Sequence, residues 1–138
     1  MKARVKWVED ITFVGEADSG HAVVMDAAVE NGGNNRGMRP MEMLLVGMGG
    51  CTAFDVLLIL KKARQPVTDC EVLVDAERAT DHPKVFTRIR VHYRIRGKGL
   101  AEAHVKRAVE LSAHKYCSAS MMLGKTAEMS HDYEILED

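Results

Sequence analysis

Between Met41 and Leu60 the chain carries only two charged residues, Glu42 and Asp55, and its apolar positions run almost all the way round a helix instead of along one stripe. Such a helix needs cover on most of its surface, so the fold must be arranged around it. Its length also suits a membrane span. Against that stand Gly47, Gly49, Gly50, Thr52 and the mid-segment Asp55, because a carboxylate at the centre of a bilayer costs roughly 2.5–3.5 kcal/mol to insert. No membrane partner is expected. The glycines read as packing positions: without a Cβ they let another backbone approach, at a cost in helix propensity of about 1 kcal/mol each. The sequence therefore predicts a buried helix that crosses a second one, with another subunit as a possible source, and Pro66 closes it.

Strand patterns flank this helix. Ala3, Val5 and Trp7 alternate with Lys2, Arg4 and Lys6, and Ile11, Phe13, Val23 and Met25 recur at period two, which predicts three short strands. The run from Asn31 to Gly37 gathers turn residues and reads as an exposed connection. After Pro66, Asp69, Glu71, Asp75 and Glu77 share one strand face opposite Cys70, Val72, Val74 and Ala76. Arg88, Arg90, His92, Arg94 and Arg96 then alternate with Thr87, Ile89, Val91, Tyr93 and Ile95. Joined by the turn from Ala79 to Pro83, the two form an antiparallel hairpin with its acidic row beside its basic row on the wet face. Leu100 to Tyr116 reads as a helix with Ala101, Val105, Ala108, Val109 and Ser112 towards a sheet. One or two further turns are expected over Ser118 to Gly124, and a last strand over Ala127 to Ile135. The 138 residues are expected to make a single domain.

Composition narrows the function classes. Nineteen basic against twenty acidic side chains give a formal charge of −1, so no nucleic-acid partner is expected. The arginine row has its own counter-charges and reads as a solvated face and not as a phosphate site. Three cysteines are too few and too odd in number for a disulfide-stapled secreted scaffold. With no apolar leader-like run after Met1, the expected compartment is the cytoplasm. Six histidines and three cysteines are scattered, and His114-x-x-Cys117 is the closest pairing, so no metal and no cofactor are expected. Phosphate-loop, dinucleotide and serine-elbow patterns are absent.

The cysteines separate by context. Cys70 lies on the apolar face of a strand and reads as a small hydrophobe. Cys51, in Gly-Gly-Cys-Thr within the buried helix, taken alone reads as a small core residue, and Cys117 follows His114 and Lys115 ahead of a short helix, where it reads either as a thiol of lowered pKa or as a partly buried cap residue. Two thiols brought together would support peroxide reduction: one becomes a sulfenic acid, the second condenses with it, and an external dithiol restores both. The attacking thiol also needs a cationic neighbour.

The run Pro40-Met41-Glu42-Met43-Leu44-Leu45-Val46-Gly47-Met48-Gly49-Gly50-Cys51, followed by Ala113-His114-Lys115-Tyr116-Cys117-Ser118, resembles the two-cysteine pattern of the OsmC/Ohr family, the osmotically inducible and organic-hydroperoxide-resistance proteins. The order of elements agrees over essentially the whole chain. The resemblance implies an α+β fold with antiparallel sheets packed on a long central helix, in an intertwined homodimer with active sites at the subunit interface. It implies a thiol-dependent hydroperoxide reductase in which Cys51 attacks a small-molecule hydroperoxide and Cys117 resolves, with a glutamate and an arginine orienting the first thiolate. For those roles the candidates are Glu42, Arg36 and Arg39.

Here the chain departs from the hydroperoxidase branches. The residue after Pro40 is Met41 where those branches carry glutamate, and Ser118 stands where they usually carry proline. Glu42 and Cys51 are nine positions apart, which at about 100° per residue turns them to roughly opposite sides of a regular helix. Behind Pro40 at the first helical position, Glu42 falls where an acid caps the helix, and capping is the reading favoured over catalysis. An apolar substrate pocket is expected from Met41, Met48, Phe54 and Met121, which favours organic hydroperoxides over hydrogen peroxide. The competing reading is a ligand-binding or interaction module that keeps the scaffold and both thiols without turnover.

Overall fold

A computed structural model describes all residues, 1–138. In chain order the elements are β1 (Ala3–Glu9), β2 (Thr12–Ala17), β3 (Ala22–Met25), α1 (Pro40–Lys62), β4 (Val67–Arg78), β5 (Phe86–Gly97), α2 (Glu102–Leu111), α3 (Ser118–Leu123) and β6 (Glu128–Glu137). A single 3₁₀ turn at Val29–Asn31 precedes α1, and a π-helical turn at Ser112–Tyr116 continues α2. Two compact units result, residues 1–45 and 46–138.

In the first unit β1, β2 and β3 form an antiparallel meander in that order. The connection before α1, mostly exposed as predicted, is tied down by Asp26, which is 2% exposed. Its carboxylate accepts the backbone N–H groups of Ala27 (2.7 Å), Arg36 (3.1 Å) and Asn34 (3.3 Å) and the Thr12 hydroxyl (2.9 Å). Burial works against the charge, but these donors outweigh it and hold the Asp26 pKa below its ordinary value. Gly33 is required there, since a Cβ on it would collide with the Ala27 carbonyl.

The start of α1 carries the cap read from its sequence. Glu42 Oε1 accepts the backbone N–H of Arg39 at 2.8 Å, closing the first turn behind Pro40. At the other end Gln65 N–H reaches the Leu60 carbonyl (2.9 Å) and Arg64 N–H reaches that of Lys61 (3.0 Å). These are the two bonds of a Schellman cap, with Arg64 at φ +57° where glycine is the usual residue.

In the second unit the sheet order is β4-β5-β6. The predicted hairpin forms in the expected register, with Asp69, Glu71, Asp75 and Glu77 opposite Arg96, Arg94, Arg90 and Arg88. β6 joins β5 in parallel, so this sheet is mixed and not wholly antiparallel as expected. That addition gives the basic row acids on both flanks: Arg90 pairs with Asp75, Arg94 with Glu71 and Glu134, Arg88 with Glu128, and His92 with Asp132. The other face is the core. Ile89, Val91, Tyr93 and Ile95 are at most 1% exposed, covered by Met48, Val56 and Leu60 of α1 and by Val105, Ala108 and Val109 of α2.

Two expectations for α1 need correction. Its buried residues within the chain are Met48, Gly49, Thr52, Val56 and Leu60, a single stripe, whereas Leu44, Val46, Phe54 and Leu58 are exposed. The glycines do not mark close backbone approach inside the chain either. A Cβ on Gly47 or Gly50 would meet nothing within 4 Å, and one on Gly49 would make ordinary contact with Val74 at 3.5 Å. The helix is long and apolar enough to cross a bilayer, but its buried stripe packs on the chain's own sheet. On α2, Ala101 stands exposed ahead of the helix, outside the predicted buried face.

The cap geometry leads to a prediction. Arg64→Gly removes the left-handed strain of an L side chain and should raise stability by up to about 1 kcal/mol, read from the midpoint of urea unfolding. For Asp26 the sign follows from its lowered pKa: its contribution is present above the unfolded carboxylate range and lost as pH falls through the folded value. Asp26→Asn should therefore flatten the acid limb of the stability–pH curve.

Candidate functional site

The site in the second unit is organised by one hydroxyl. Thr52, fully buried on α1, lies 2.6 Å from the Tyr93 hydroxyl on β5 and 2.7 Å from the Ser112 hydroxyl at the end of α2. Ser112 also donates to Asp55 Oδ2 at 3.1 Å. A hydroxyl chain thus runs from the sheet through α1 to a half-buried carboxylate. Burial, partly offset by the Thr52 bond, pushes the Tyr93 phenol up to about 12.

This node fixes both cysteines. Cys51 is the neighbour of Thr52 on α1. Cys117 follows the π-helical turn, and its N–H donates to the Ser112 carbonyl at 2.9 Å. π-Turns of this sort re-aim the residue that follows them. Here the thiol is turned inward, where it is fully buried. Its Sγ caps α3, accepting from the Ser120 N–H (3.3 Å) and the Ser120 hydroxyl (3.1 Å). Cys51 Sγ, Cys117 Sγ and an Asp55 carboxylate oxygen all lie within 4.8 Å of one another. The chain has therefore brought together two thiols that its sequence could not relate in space, with a third donor that the sequence reading did not single out. The signal for Asp55 was its four-residue spacing from Cys51, which places both on one side of a helix.

The two thiols differ. Cys51 is half-buried and Cys117 is inaccessible. Burial pushes the Cys117 thiol above its ordinary value, the Ser120 donors work against that, and Cys51 adds to it. Cys70 sits apart on β4, where burial and then Asp69 raise its thiol.

The remaining site candidates lie in the first unit, each with local partners. Arg36 pairs with Glu9 at 2.5 Å. Arg39 Nη1 donates to the neutral oxygens of Asn35 (2.7 Å) and Gly37 (3.0 Å). Glu42 serves as the helix cap described above. The expected methionine pocket does not form: Met48 is completely buried in the core, while Phe54 is 64% and Met121 43% exposed. A cavity of about 600 Å³ lies instead against Asp55, walled by Leu58, Ile59, Ala63, Leu111 and Tyr116, with Lys62, His104 and Arg107. Its walls are contributed by α1 and α2, a pairing that single-element periodicity does not reveal.

The fold agrees with the comparisons. The family model for OsmC-like protein matches residues 32–132, and the chain belongs to that family. It is 49% identical to Protein YhfA of Escherichia coli strain K12 over 99% of this chain and 98% of that protein. Its fold matches an OsmC-like protein from Mycoplasma pneumoniae with a TM-score of 0.84 at 16% identity, covering 98% and 96% of the two chains. It also matches an organic hydroperoxide resistance protein from Elizabethkingia anophelis, crystallised with thiocyanate, with a TM-score of 0.72 at 17% identity over 97% and 94%.

Two outcomes follow from the hydroxyl node. Thr52→Val leaves the Tyr93 and Ser112 hydroxyls short of a buried partner and should cost about 1–3 kcal/mol in denaturant unfolding. In an ultraviolet titration of the folded protein, a tyrosine component ionising near pH 12 should vanish in Tyr93→Phe. Because the unfolded phenol ionises near 10, stability should fall between about pH 10 and 12, and less so in that variant.

Proposed function

We propose that the protein is a thiol-dependent hydroperoxide reductase in which Cys51 and Cys117 form the redox pair. The observation that carries this reading is the proximity of one accessible and one buried thiol, both within 4.8 Å of a common carboxylate. Accessibility orders their roles. The Cys51 thiolate attacks the O–O bond of an organic hydroperoxide ROOH, one oxygen passes to sulfur as Cys51–SOH, and the other leaves as ROH after taking up a proton. The Cys117 thiol then displaces water from the sulfenic acid to give the Cys51–Cys117 disulfide. An external dithiol reduces it, its own thiols becoming the new disulfide. The cavity against Asp55, with its aliphatic walls, favours an organic R group over hydrogen peroxide.

The attacking sulfur needs a positive neighbour, because Asp55 supplies a negative one. Of the two arginines expected for the task, Arg39 is the better proposal: its partners are neutral, whereas Arg36 is neutralised by Glu9. The active form is proposed as a homodimer in the cytoplasm. The exposed Val46, Phe54 and Leu58 on α1 and the open surfaces at Gly47 and Gly50 support a second copy as the missing cover.

Mixing the reduced protein with an organic hydroperoxide and quenching for mass spectrometry tests this. A Cys51–Cys117 disulfide should form rapidly, be absent in Cys51→Ser and Cys117→Ser, and persist in Cys70→Ser. Arg39→Gln should slow it more than Arg36→Gln. Slow, unselective oxidation of all three thiols would favour the binding-module reading. In sedimentation, the wild type should run as a dimer and Phe54→Glu should shift it towards monomer.

A further inference from the structure

We propose that in its dithiol state the chain binds a thiophilic divalent ion of the zinc class, with Cys51 Sγ, Cys117 Sγ and an Asp55 carboxylate oxygen as ligands. The three atoms already converge, each within 4.8 Å of the others. Two thiolates at about 2.3 Å from a tetrahedral ion stand roughly 3.8 Å apart, so a contraction of no more than about an ångström closes the site. Cys51 and Asp55 reach it from successive turns of α1 and Cys117 from the turn after α2. The donor set is therefore held by two elements of one packed unit.

The outer partners that a metal site needs are also in place. Ligating sulfurs are held by hydrogen-bond donors and ligating carboxylates by a partner on one oxygen. Cys117 Sγ accepts both the N–H and the hydroxyl of Ser120, and the Ser112 hydroxyl donates to Asp55 Oδ2. Ser112 is itself tied to buried Thr52, so the carboxylate is supported from the core. Two thiolates select zinc-like ions over magnesium or calcium, which favour all-oxygen sites. Three protein ligands leave a fourth position open. The cavity of about 600 Å³ that Asp55 helps to line supplies an approach.

The site exists only while both sulfurs are thiols, since a disulfide removes two of its three donors. Metal capture and oxidation are thus mutually exclusive states of the same pair. This inference does not rest on the peroxidase reading, and its test contains no peroxide.

Reduced protein purified without chelator is titrated with Zn²⁺ against a chromophoric chelator, and separately with Co²⁺ as a spectroscopic probe. One zinc per chain is expected, with a thiolate-to-cobalt charge-transfer band. Cys51→Ser should weaken that band and the binding sharply, Asp55→Asn should weaken zinc at least about tenfold, and Cys70→Ser should change nothing. Protein carrying the Cys51–Cys117 disulfide should bind no zinc at this site. Absence of stoichiometric binding would overturn the proposal. So would zinc binding that survives both Cys51→Ser and Asp55→Asn, or that is equal in the dithiol and disulfide forms. Asp55→Asn preserves side-chain size at a half-buried position, so the ligand test does not depend on the foldability of a variant at buried Cys117.

Discussion

The hydrogen bonds that meet at the Thr52 hydroxyl hold the second unit's chemistry in place. A threonine with no exposed surface beside a tyrosine and a serine equally buried is costly unless all three are satisfied, and each satisfies the others. The consequence is positional. Tyr93 fixes the depth of α1 on the sheet, Ser112 fixes where α2 loosens into a π-turn, and the Ser112 carbonyl then receives the Cys117 N–H. The node thus helps to place the two sulfurs beside each other, where the thiols also meet directly.

Charge on the sheet of this unit is gathered on its wet face. The basic row on β5 is matched by acids from β4 on one side and from β6 on the other, and exposed pairs of this kind contribute little individually to stability. Together they favour the observed register, because a one-residue slip would set the charged row of one strand beside the apolar row of its neighbour and turn a core row outward. Asp55, away from that face, has a serine for a partner and two thiols for neighbours.

Much of the fold was legible because its signals are local. Alternation in Arg88 to Arg96 and in Met129 to Ile135 reports a strand wherever its partner lies, and Glu42 behind Pro40 reports a cap within one turn. Parallel pairing of β6 was not legible, since the same alternation serves either direction. Nor was the cavity: the proposed methionine lining grouped residues by type, whereas packing sent Met48 into the core and Phe54 to the surface. The role of Asp26 leaves no sequence signal, because it satisfies backbone donors of a loop that has no period of its own. The close approach expected at the glycines of α1 has no counterpart within one chain, where a Cβ on Gly47 or Gly50 would meet nothing.

The meeting of Cys51, Asp55 and Cys117 lies between these extremes. Helix spacing alone puts Asp55 beside Cys51, but Cys117 arrives through a long loop of chain whose closure depends on the whole sheet. Once there, its buried sulfur has donors from Ser120 but burial that disfavours a free thiolate. A thiol so placed is deprotonated most readily when the charge it would carry is removed in the same event, by a bond to another sulfur or by a bond to a cation. Asp55 weighs on that choice. The carboxylate that stands beside both thiols is also an oxygen donor of the kind a divalent ion takes alongside thiolates.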